Sequence, residues 1–178
     1  AHDIAHAVQT DHRVLRSSRK APDTVNQMGS SPLLTFFDGA DQYLERWETD
    51  RALGLVGLMK YESDRQPAHL NEAEKLLRPV LEIVPDDFVV LEALGSIAWE
   101  QERFDHARQY FESSLRHQPR REASLLKLVK VCYRTGDFHA GLQCIEKLLA
   151  INPWNHEVYA WQADMRKAMG RLPEAIEA

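Results

Sequence analysis

The chain has 178 residues, 44% of them hydrophobic and 28% charged, with a formal net charge of −5. That length accommodates one domain with a sizeable core or a short repeat array, and the composition is ordinary for a soluble globular protein. The acidic balance argues against a nucleic-acid partner whose phosphates must be neutralised, and no apolar run reaches the roughly 18 residues of a membrane span.

The first stretch, AHDIAHAVQTDHRVLRSSRK, has no apolar face of helical period and holds His2, His6 and His12. Arg13, Arg16, Arg19 and Lys20 stand against Asp3 and Asp11, a net +2 that leaves −7 on the rest. The asymmetry reads as an irregular arm appended to an acidic body. With the Ser-, Pro- and Gly-containing segment next to it, arm and linker span residues 1–32. The chain starts at Ala1 without Met, which is read as the start of an excised piece with its targeting signal missing. Residues 33–48, with Leu33, Leu34, Phe36, Phe37, Tyr43, Leu44 and Trp47, are expected to cap the apolar end of the acidic body. A partner-docking patch is the alternative.

From Thr49 onward the sequence repeats. Phe88 to Arg121 carries Leu91, Leu94, Gly95, Ala98, Ala107, Phe111, Ser114 and Pro119, and a shift of 34 residues finds Leu125, Leu128, Val129, Cys132, Gly141, Ile145, Leu148 and Pro153. A further shift reaches Tyr159, Gln162, Ala163, Arg166 and Ala175. These marks match the W-x2-L-G-x2-Y…A-x3-F…P pattern of a 34-residue helix pair in spacing and mostly in type. Small residues belong where two antiparallel helices approach, and large ones fill the space between pairs. Gly136 and Gly170 fit the left-handed position that ends a helix. Upstream, Ala73, Leu77, Val80 and Pro85 mark a second helix. Its partner, TDRALGLVGLMKYE, lies four residues too far away, an excess assigned to a longer turn in SDRQPAHL.

This resembles the tetratricopeptide repeat (TPR) family. The expected fold is all-α, a right-handed superhelix of antiparallel helix pairs over 49–178. Its repeats are 49–87 with the longer turn, 88–121, 122–155 and a truncated 156–178. The resemblance implies a concave wall, formed by the first helix of each repeat, that holds a protein or peptide. The groove-facing places of the family fall here on Glu92, Ser96, Trp99 and Glu100, on Leu126, Lys130, Tyr133 and Arg134, and on Glu157, Asp164 and Lys167. Basic residues then sit at the centre with acids on either side. The Lys/Asn clamp by which some members hold a chaperone's terminal carboxylate is absent, because its places carry Glu92 and Ser96, Leu126 and Lys130, Ala160 and Asp164. Trp99 and Tyr133 read either as partner anchors or as packing against neighbouring helices.

No nucleophile elbow, P-loop or zinc-protease motif occurs, so the helical body is not expected to be an enzyme. His69, His106, His117, His139 and His156 read as solvated surface. Cys132 and Cys144 form neither CxxC nor CxxCH and read as structural thiols, with oxidation to a disulfide left open. The chain ends on RLPEAIEA as a helix begins, which predicts an uncovered apolar face and self-association there.

Residues 2–16, HDIAHAVQTDHRVLR, resemble a segment of bacterial multihaem c-type cytochromes that carry TPR arrays after the haem domain. The resemblance implies that His12, or less securely His6, is a distal ligand of a c-type haem in a longer parent protein. Arg13 and Arg16 would then pair with its propionates. With no CxxCH present, the chain itself is expected to hold no haem. Location would then be periplasmic or exported, and otherwise cytoplasmic. The leading expectation is an interaction scaffold beside an electron-transfer domain. The alternatives are an accessory part of a multihaem oxidoreductase and an unrelated cytoplasmic adaptor.

Overall fold

A computed structural model describes residues 44–170. The arm with His6 and His12, most of the expected cap and the last eight residues lie outside this range. Among the described residues there are seven helices and no strand: α1 (Arg46–Asp64), α2 (Pro67–Ile83), α3 (Phe88–Glu100), α4 (Phe104–His117), α5 (Glu122–Thr135), α6 (Phe138–Ile151) and α7 (His156–Ala168). They pack as consecutive hairpins, α1 with α2, α3 with α4 and α5 with α6, while α7 packs on α6. The first helices α1, α3, α5 and α7 also touch in succession, whereas α2, α4 and α6 make no comparable contacts with one another. The array therefore bends with its first helices inside.

Local chemistry sets the boundaries. Asp87 caps α3 by accepting from the backbone N–H groups of Val89 at 3.0 Å and Val90 at 3.1 Å. Asp137 and Asn155 cap α6 and α7 in the same way. Glu45 and Glu48 form a reciprocal capping box that starts α1 at Arg46, three residues before the expected Thr49.

The expected longer turn in the first repeat is absent. The helix α1 continues to Asp64, seven residues past Gly57, where α3 stops five past Gly95, and α2 opens six residues before Ala73 where α4 opens three before Ala107, so the extra residues lengthen both helices while the turn is one residue shorter. Only Arg65 and Gln66 separate α1 from α2. Arg65 adopts the left-handed conformation at φ 57° and Pro67 opens α2 with its fixed φ, so two residues suffice to reverse the chain. His69 is likewise not a solvated residue. Its side chain is 12% exposed, with Nε2 3.0 Å from Asp64 Oδ2.

The core is a stack of layers set by small residues under large ones. Phe111 is buried against Gly95, where an added Cβ would lie 2.6 Å from the ring, so the close approach of α3 and α4 requires glycine there. Leu77, Val80, Val90, Leu94 and Ile97 form one buried layer, and Leu125, Val129, Ile145, Leu148, Val158 and Met165 belong to the next. Tyr110 packs against both.

Gly136 and Gly170 turn the chain at φ 76° and 78°, as their spacing predicts. Thirty-four residues before Gly136 the same place is held by Glu102 at φ 58°. The turn geometry repeats, with Arg103 N–H bonding the Ala98 carbonyl at 2.8 Å and Asp137 N–H the Cys132 carbonyl at 2.9 Å. A side chain in this conformation costs about 1–2 kcal/mol, partly offset by the greater freedom of unfolded glycine. Glu102→Gly is therefore expected to stabilise the protein by about 0.5–1 kcal/mol, read as a raised urea midpoint.

Candidate partner-binding groove

Polar bridges tie each first helix to the next. Arg51 on α1 grips the cap residue Asp87 through Nε at 2.5 Å and Nη2 at 3.3 Å. Farther along, Tyr61 donates to Glu100 Oε2 at 2.8 Å, and Arg65 reaches the same oxygen at 3.3 Å. Between α3 and α5, Glu92 accepts from Arg121 at 2.5 Å and from the Ser124 hydroxyl at 2.6 Å. Between α5 and α7, Lys130 lies 3.1 Å from Glu157.

Burial opposes ionisation of Asp87. Its hydrogen bonds from Arg51 and from the Val90 and Val89 amides outweigh that penalty and hold the carboxyl below its usual range. In Glu92, too, burial is overcome, here by Arg121, Ser124 and the charge of Lys127. Acids held ionised in the folded state stabilise it fully above the ordinary carboxylate values of about 4, and the contribution is lost as pH falls through the depressed folded values. The urea midpoint is therefore expected to drop as pH is lowered from about 5 to about 3, and less steeply in Asp87→Asn.

On the inner face these bridges frame a cleft of about 180 Å³ between α1, α3 and α5. Glu62 comes from α1, Ser96, Trp99 and Glu100 from α3, and Lys127 and Lys130 from α5, with Phe111 behind them. Lys127 donates to Ser96 Oγ at 2.6 Å and lies 3.9 Å from Glu92. The cleft thus sets carboxylates on the α1 side against ammonium groups on the α5 side, with the half-buried Trp99 between them. Such a site can take an extended segment that offers an acid to α5 and an apolar side chain to Trp99.

Of the residues assigned to the groove, the structure brings Ser96, Trp99, Glu100 and Lys130 together here. The others lie elsewhere. Glu92 is a bridge within the array, and Leu126 is partly buried against the core. Tyr133 meets Phe138 and Trp161 edge-on, with ring centroids 5.9 and 5.3 Å away. Arg134 stacks its guanidinium 5.4 Å from the Phe104 ring and lines a separate hollow with Glu102 and Arg103. Lys127 and Glu62 are additions. Lys127 stands one place beyond the family position carried onto Leu126, and Glu62 lies on the first helix, for which no groove place was assigned.

Among the described residues no group of three or more His, Cys, Asp or Glu is arranged to hold a metal ion, and no helix is long and apolar enough to cross a membrane.

Stacked antiparallel hairpins with an inner wall of first helices define a helical solenoid. A tetratricopeptide repeat family model matches residues 92–139, about a quarter of the chain. No curated protein sequence matches. Among solved structures, one of MamA is similar with a TM-score of 0.67 and 18% identity, covering 78% of this chain and 77% of that one. A second MamA structure gives 0.64 and 20%, covering 77% and 79%. The first TPR of Spaghetti (RPAP3), bound to the HSP90 peptide SRMEEVD, gives 0.57 and 14%, covering 68% and 98%. The fold is that of a TPR solenoid.

Proposed function

We propose that the chain is a protein-interaction scaffold whose inner cleft holds an extended acidic segment of a partner. The observation that supports this is the convergence of Lys127, Lys130 and Trp99 from two successive first helices. Both lysines are about one-third exposed, and their present partners, Ser96 and Glu157, are replaceable by an incoming carboxylate. A neighbouring apolar side chain of the partner would cover Trp99, which is backed by Phe104 at 5.3 Å. The RPAP3 structure shows a related solenoid with a peptide bound, while the different residues at this chain's clamp places argue for a different ligand sequence. Selection from a random peptide display library on the 178-residue chain is expected to enrich Asp or Glu next to Leu, Phe or Tyr. Enrichment of basic sequences would overturn the reading.

A second reading concerns the setting of the array. The likeness of HDIAHAVQTDHRVLR to the end of a cytochrome haem domain supports a place beside a c-type haem, with His12 or His6 as distal ligand and an exported location. The parent would then be an electron carrier or a multihaem oxidoreductase. The chain's own cysteines do not fit the attachment site of such a haem, since Cys132 and Cys144 are buried in α5 and α6 outside any CxxCH. The purified chain is accordingly expected to show no Soret band, and a band that survives purification would contradict this expectation.

A further inference from the structure

The outer side of the array carries a second cleft. Helices α4 and α6 both pack on α5 rather than on each other, and the furrow between them measures about 340 Å³. Its floor is apolar, built from Leu125, Leu128 and Cys144, with Leu115 and Ala140 on the walls beside the polar Glu112 and Gln143. Leu128 and Cys144 are only 6% and 7% exposed, so they are reached through the furrow alone.

The two ends differ in charge. At one end Arg108 donates to Glu112 Oε1 at 2.9 Å and Asp137 Oδ2 at 2.8 Å, so its charge is already met. The other end is reached two turns later along both walls, because α4 and α6 occupy equivalent places in consecutive hairpins and run in the same direction. There Arg116 bonds the Ser113 hydroxyl at 2.6 Å, and Lys147 makes no hydrogen bond or ion pair among the described residues. The furrow thus has an apolar floor between polar rims, with uncommitted positive charge at one end. From Arg108 to Arg116 it spans about 12 Å of helix, the reach of an extended alkyl chain of medium length.

We propose that this furrow binds a medium-chain aliphatic carboxylate, with its head between Arg116 and Lys147 and its tail laid over Leu128 and Cys144 toward Ala140. The volume falls within the range of small-molecule sites, which are mostly apolar with a few placed polar groups. A carboxylate is the complement of a guanidinium and an ammonium. The backbone groups of α4, α5 and α6 are spent within their helices, and Gln143 brings a single side-chain amide to the lining. An extended peptide would therefore leave most of its own amides unpaired, whereas an aliphatic acid has one polar group and places it at the charged end.

Cys144 supplies the readout, since a ligand in the furrow must cover it. The rate at which a maleimide labels Cys144 in the 178-residue chain, followed by peptide mass mapping, is expected to fall saturably with decanoate below its micelle concentration. Arg116→Glu with Lys147→Glu is expected to raise the decanoate needed by at least about tenfold, one or more charge-assisted contacts being lost. Both residues are exposed, so the variant's urea unfolding should match the parent's and confirm that it folds. Decyltrimethylammonium, with the same tail and opposite charge, is expected to give no shielding. Titration calorimetry with decanoate, which needs no thiol, should give the same ranking. Labelling unaffected by decanoate, equal shielding by the cationic amphiphile, or shielding unchanged by the double reversal would each overturn the proposal.

Discussion

Phe111→Ala is expected to lower the unfolding free energy by about 3–5 kcal/mol, a large part of the total for a domain of this size. Phe111 is 1% exposed and stands at the junction of α3, α4 and α5. Its ring fills the space that Gly95 leaves on α3, so the two helices cannot close on an alanine without moving the backbone. The loss falls on one hairpin and on its interface with the next, and in a solenoid each hairpin depends on its neighbours. Urea unfolding should show a lower midpoint, and a reduced slope would indicate that the repeats no longer unfold together. Phe111 also backs the inner cleft, so peptide affinity should fall with stability in this variant. A change below about 1 kcal/mol would mean that the ring is not packed into the interior between these helices.

The charge reversal Lys127→Glu with Lys130→Glu is expected to weaken an acidic peptide by about a hundredfold or more, since each charge-assisted hydrogen bond is worth about 1.5–3 kcal/mol. Stability should change far less. The Lys130–Glu157 pair is partly exposed, and such pairs contribute little. Glu157→Gln separates the two effects. It removes the acid that competes for Lys130, so affinity measured by fluorescence anisotropy should stay the same or rise. Arg134→Glu is expected to leave affinity nearly unchanged, because that guanidinium is turned onto Phe104 and away from the cleft.

Much of the fold was legible in the chain because its marks recur at a fixed interval. Gly95 with Phe111, and Gly136 with Gly170, signal packing and turn geometry that no single residue would establish. The first repeat was less legible. Its additional residues could lengthen either turn or helix, and the choice depends on whether Arg65 tolerates a left-handed backbone, which composition does not reveal. The cleft was legible only in part. Family register points to Ser96, Trp99, Glu100 and Lys130, but long side chains select partners by geometry: Arg134 finds the face of Phe104, Glu92 finds Arg121 and Ser124, and Tyr133 finds Phe138 and Trp161. Lys127 enters the cleft from a neighbouring register position because the Ser96 hydroxyl accepts its hydrogen bond. His69 reads as solvated surface because a helix pattern does not show that Asp64, five residues earlier, meets its Nε2 at the mouth of α2.

The central claim, that the first helices present a working groove, is tested most directly by hydrogen exchange of the 178-residue chain with and without a display-selected acidic peptide. Slowed exchange confined to α3 and α5 around Ser96, Trp99, Lys127 and Lys130 is the predicted result. Slowing confined to α2, α4 and α6, with the inner helices unchanged, would contradict it.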